Sequence, residues 1–146
     1  MKLLAIDTSS VACSVALQVD AEIFERHEEL AREHTRLLMP MVRAVLDEAA
    51  VSTEQLDAIV LGNGPGSFIG MRIAASVAQG IAHGAGIPIV PVSSLAAVAA
   101  QAFIETGASE IVVAQDAHMN EVYLGAFRQG AEGVPLPLLA ERLQTQ

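Results

Sequence analysis

The densest concentration of residues able to do chemistry is Gly62-Asn63-Gly64-Pro65-Gly66-Ser67-Phe68-Ile69-Gly70-Met71-Arg72, a glycine-rich loop leading from an apolar run into a helical pattern. Backbone amides freed at a helix N-terminus, reinforced by the helix dipole, bind phosphate when such a loop lets them converge. Three familiar versions of that chemistry do not fit. A P-loop requires GxxxxGK[ST], and no lysine follows any of these glycines. The dinucleotide form GxGxxxG is met by Gly64, Gly66 and Gly70, yet no Asp or Glu stands near the end of the next strand to hold a ribose. Ser67 is not a nucleophile elbow, since GxSxG needs a glycine where Pro65 stands. The same glycines also serve a structural end: lacking Cβ atoms, they let the backbone turn tightly and let the next helix lie close to its neighbours.

A second cluster, Asp7-Thr8-Ser9-Ser10, ends the first apolar run, where a carboxylate and hydroxyls can touch a metal-bound phosphate. Asp7, Thr8 and Ser9 with Gly64, Gly66 and Ser67 form the candidate nucleotide-binding set, against the plainer reading of a hydrogen-bonded turn. His27 and His34 flank an acidic run but are seven positions apart and fit neither HExxH nor HxxxH. In a helix that spacing spans roughly 10.5 Å, too far for one metal. Asp116 and Glu121 bracket His118-Met119-Asn120 in an expected hairpin loop, where acidic residues are solvated turn formers more often than an acid/base pair. No catalytic triad assembles, and no metal site is expected.

The elements that must position these residues follow from periodicity. Leu3 to Asp7, Ser14 to Val19 and Glu22 to Glu28 read as three strands joined by short turns. From Arg32 to Ala50 the period becomes helical, with Leu38, Met41, Val42, Val45 and Leu46 on one face and a kink or a fresh start expected at Pro40. Ala58 to Leu61 is a fourth strand, and the glycine loop feeds a second helix through His83, ended by Gly84 and Gly86. Within it Ile69, Ile73, Val77 and Ile81 recur every four residues beside a small-residue face of Gly70, Ala74, Ala75 and Ala78. Ile87 to Val92 is an edge strand carrying Pro88 and Pro91, and Ser93 or Ser94 caps a third helix to about Glu105. Two further strands, Glu110 to Gln115 and Glu121 to Arg128, precede a tail with a helical turn. The expected domains are a first lobe over 1–106 and the beginning of an incomplete second lobe over 107–146, too small to bury a core alone.

Composition sets limits. Eight basic against seventeen acidic side chains give a formal charge of −9, and Lys2 is the single lysine, so direct grip on nucleic-acid phosphates is not expected. One cysteine, Cys13, excludes an internal disulfide and fits a reducing cytoplasm. The opening MKLLAID reaches Asp7 too early for a signal peptide, and polar residues interrupt every longer apolar run, so no membrane span is expected.

The blocks AIDTSSVACSVAL, REHTRLLMPMV, GNGPGSFIGMRIAASVAQGIA, IPIVPVSSLAAVA and AQDAHMNEVYLGAF, ordered from Met1 to Arg128, resemble the successive signatures of the TsaB (YeaZ) family. The glycine loop resembles that family's GPGSFTGLRIG turn, with Ile69 for Thr and Ala74 for Gly. The resemblance implies an α/β fold of the actin-like, sugar-kinase-like (ribonuclease-H-like) type, with a mixed five-stranded sheet in βββαβαβα order. It also implies a non-catalytic partner subunit in forming threonylcarbamoyladenosine next to the anticodon of tRNAs. The TsaD-like paralogue would transfer the group in a heterodimer, a TsaE-like ATPase would join it, and ATP and a divalent metal would sit on those partners. By the same analogy the partner surface is expected at Leu38, Met41, Val42 and Val45 of the first helix and Met71, Ile73 and Val77 of the second. A homodimer of the chain alone, a nucleotide-binding phosphotransferase or hydrolase, and a peptidase stand as alternatives. Family members usually continue into a full second lobe, so the chain is expected to be C-terminally truncated.

Overall fold

The computed structural model describes residues 1–30 and 32–145; residue 31, within the run between His27 and His34, and residue 146, the last of the expected second lobe, lie outside the described residues. The chain forms two compact units, Met1–Val92 and Ser93–Gln146. In the first, β1 (Lys2–Asp7), β2 (Ala12–Val19), β3 (Glu22–Glu29), α1 (His34–Glu48), β4 (Ala58–Gly62), α2 (Phe68–Ala85) and β5 (Ile89–Val92) follow in chain order. The strands form one sheet in the order β3-β2-β1-β4-β5, antiparallel across β1, β2 and β3 and parallel from β1 through β4 to β5. With α3 (Ser94–Thr106), the chain order is the expected βββαβαβα of a mixed five-stranded actin-like lobe.

Side chains alternate across a strand, so the apolar period of two selects one face. Leu4 and Ile6 of β1 lie opposite Leu17 and Val15 of β2 and opposite Ile59 and Leu61 of β4, making a continuous aliphatic layer. Onto it α1 lays Leu38, Met41, Val42, Val45 and Leu46, and α2 lays Ala74, Ala78 and Ala82. Pro40 neither starts nor ends α1: the helix begins at His34 and runs through it. An interior proline costs about 3 kcal/mol. Each large aliphatic side chain buried by the same helix returns about 1.5–3 kcal/mol, so packing decides. At the far end of α2, Gly86 adopts φ 69° and donates its N–H to Ala82 O, stopping the helix; Gly84, expected as a terminator, stays inside it.

Cys13 sits in this core, where burial pushes its thiol above the ordinary value. The folded state therefore favours the neutral thiol, and this contribution is present below the unfolded-state thiol pKa and is lost as pH rises towards the folded one. At pH 8 a disulfide reagent such as DTNB is expected to leave the native thiol unmodified and to titrate one equivalent after addition of guanidinium. Rapid native labelling would contradict this placement.

The second unit comprises α3, β6 (Glu110–His118), β7 (Glu121–Gln129) and β8 (Pro135–Thr145), with the strands in the order β6-β7-β8, all antiparallel. Ser93 caps α3 by accepting from Ala96 N at 3.2 Å, and Gly107 ends the helix at φ 67°. Leu95, Ala99 and Phe103 of α3 share a core with Val113 of β6 and Phe127 of β7. Three expectations change here. The unit boundary falls at Val92/Ser93 and not between 106 and 107, because α3 buries its apolar stripe with the second sheet. The tail forms the strand β8 instead of a helical turn, paired along β7. With α3 and β8 included, this unit has a core of its own. The β6–β7 loop is also tighter than expected: β6 reaches His118, and Met119 and Asn120 turn the chain at φ 54° and 60°. No helix among the described residues is long and apolar enough to cross a membrane.

Candidate functional site

Parallel pairing of β1 with β4 sets Ile6 beside Leu61, which brings the chain after β1 against the glycine loop after β4. There the glycines are matched to the Asp7–Ser9 turn. A Cβ added at Gly62 would strike the Asp7 carboxylate, at Gly66 the Ser9 backbone, and at Gly70 the Thr8 carbonyl oxygen. Hydrogen bonds fasten the same surfaces: the Thr8 hydroxyl donates to Gly70 O at 2.6 Å, and Ser67 N–H donates to Ser9 O at 2.6 Å. Asp7 Oδ1 accepts from Ser9 N at 2.7 Å. Ser67 caps α2, its hydroxyl accepting from Gly70 N at 3.2 Å. Gly64 turns at φ 75°, and the Gly64–Pro65 peptide is cis. On the solvent side Phe68 and Ile69 are exposed, and the Arg72 guanidinium lies 3.8 Å from the centroid of the Phe68 ring.

The structure thus brings Asp7, Thr8, Ser9, Gly64, Gly66 and Ser67 together, as a phosphate site would require, but several of their polar groups are bonded within the clasp. Thr8 is fully buried and its hydroxyl is spent on Gly70 O, while the helix-start amide of Gly70 is satisfied by Ser67. This is a loop-to-loop clasp, with glycines where the two backbones meet. Replacing Thr8 by valine is expected to lower stability by about 1–2 kcal/mol through loss of the buried bond, with Thr8→Ser closer to wild type. Matching urea midpoints for the valine variant and wild type would refute a structural role for the hydroxyl.

The histidines do not converge on one partner. His27 Nδ1 pairs with the Ser14 hydroxyl at 2.8 Å across the β2–β3 ladder. Buried His34, at the start of α1, donates from Nε2 to Ser10 O at 2.8 Å, tying that helix to the β1–β2 turn. No sequence pattern announced this strap, because its ends are 24 residues apart. Among the described residues no three His, Cys, Asp or Glu side chains gather as a metal-ligand set. Asp116 caps its own turn, accepting from His118 N at 2.8 Å, with both side chains exposed.

Most of the residues expected on the partner surface pack toward the sheet. Leu38, Met41, Val42 and Val45 are all core residues beneath α1. Met71 is half-buried with its sulfur against the Gly64 turn, and Ile73 and Val77 pack on the core from the flanks of α2. An apolar stripe at helical spacing faces the sheet because that is where it escapes water. On α2 the line nearest the sheet is Gly70, Ala74, Ala78 and Ala82, and the bulkier residues stand beside it. The outward faces carry Arg36, Pro40 and Arg43 on α1 and Arg72, Ser76 and Gly80 on α2, all exposed.

Comparison with known proteins places this geometry. The profile of the family described as "TsaD: tRNA N6-adenosine threonylcarbamoyltransferase" matches residues 23–135. The chain is 46% identical over 123 residues to the tRNA threonylcarbamoyladenosine biosynthesis protein TsaB of Haemophilus influenzae, covering 84% of this chain and 52% of that protein. It is 41% identical over 134 residues to the protein of the same name from Escherichia coli, covering 92% and 58%. The solved structure of YeaZ from Pseudomonas aeruginosa superposes with a TM-score of 0.92 at 43% identity, over 97% of this chain and 66% of that one. The chain spans about half the length of the curated relatives it matches. Matched along most of its length, it belongs to the TsaD-like family and, within that family, to the TsaB (YeaZ) proteins.

Proposed function

We propose that this chain is a partner subunit, without catalytic groups of its own, in forming threonylcarbamoyladenosine next to the anticodon of tRNAs. Its relatives carry that biosynthetic role in their names. One structural observation supports the non-catalytic part of the reading: in the clasp between the Asp7–Ser9 turn and the glycine loop, the Thr8 hydroxyl, the Ser67 and Gly70 amides and Asp7 Oδ1, groups a phosphoryl-transfer site would offer to its substrate, are bonded within the chain. The partner is a TsaD-like paralogue that performs the transfer, joined by a TsaE-like ATPase in the cytoplasm, with ATP and a divalent metal on those subunits. With a formal charge of −9 and one lysine, this chain meets tRNA through its partner.

Pairing uses the outward faces of α1 and α2, not their buried stripes. Light-scattering chromatography of the chain mixed with the TsaD-like paralogue of its own organism is expected to give a new peak at the one-to-one mass. Separate elution of the two proteins at micromolar concentration would overturn the pairing. Submicromolar binding of magnesium-ATP to the chain alone, lost on Asp7→Asn, would overturn the non-catalytic reading and favour a phosphotransferase.

A further inference from the structure

We draw no further inference here: the strongest candidate, the exposed apolar face of the second unit's sheet where Val112, Ala126 and Leu139 stand side by side across β6, β7 and β8, carries nothing because nothing in the structure shows what covers it.

Discussion

Replacing Gly70 by alanine is expected to destabilise the first unit by about 3 kcal/mol or more, whereas the same change at Gly80, ten positions along the same helix, is expected to stabilise it by about 0.5–1 kcal/mol. Intrinsic propensity favours alanine at both sites, so the opposite signs must come from the surroundings. At Gly70 the new Cβ would overlap the Thr8 carbonyl oxygen, which belongs to a turn held by the Thr8 hydroxyl on Gly70 O and by Ser67 N–H on Ser9 O. A flexible side chain would move aside; a backbone carbonyl fixed on both sides does not. At Gly80 the added Cβ would meet no heavy atom within 4 Å, and only the lower backbone entropy of the unfolded chain changes. Urea denaturation of the two variants checks both signs. A Gly70→Ala protein as stable as wild type would mean that the clasp is loose enough to yield.

This contrast also marks what the sequence could and could not disclose. GNGPGSFIG was legible as a strand-to-helix turn, because four glycines between an apolar run and a helical period leave few other conformations. Which backbone each glycine makes room for was not legible. Gly70 answers Thr8, 62 residues earlier, and only the parallel pairing of β1 with β4 brings them together. The strands β1 and β2 were legible in their alternation, and α1 in its stripe. The helix does not start afresh at Pro40, because the burial of Leu38, Met41 and Val42 around it outweighs the local cost. The tail Pro135–Thr145, rich in Leu with Ala, Glu and Arg, has helical propensity, and antiparallel pairing with β7 overrides it.

An apolar helical stripe is the same pattern whether it faces a sheet or another protein, so periodicity alone does not say which side of α1 meets a partner. The structure separates the two, and the separation has a large expected effect. Met41→Asp or Val45→Asp would set a carboxylate in the aliphatic layer between α1 and the sheet, at a cost of about 4 kcal/mol or more, and the first unit should unfold. Loss of partner binding in such variants would say nothing about an interface. Ser76→Arg and Gly80→Arg instead add long charged side chains on the outward face of α2, where Ser76 bonds back to Arg72 O and Gly80 has open space. Their thermal midpoints should match or exceed wild type, since arginine is a better helix former than either residue. On the proposed pairing, affinity for the TsaD-like paralogue should fall by about 100-fold or more, because a bulky charge at the centre of a close helix contact prevents it from closing. Folded Ser76→Arg and Gly80→Arg proteins that bind the paralogue as wild type does would remove the outer face of α2 from the interface and leave α1, through Arg36, Pro40 and Arg43, to account for any pairing.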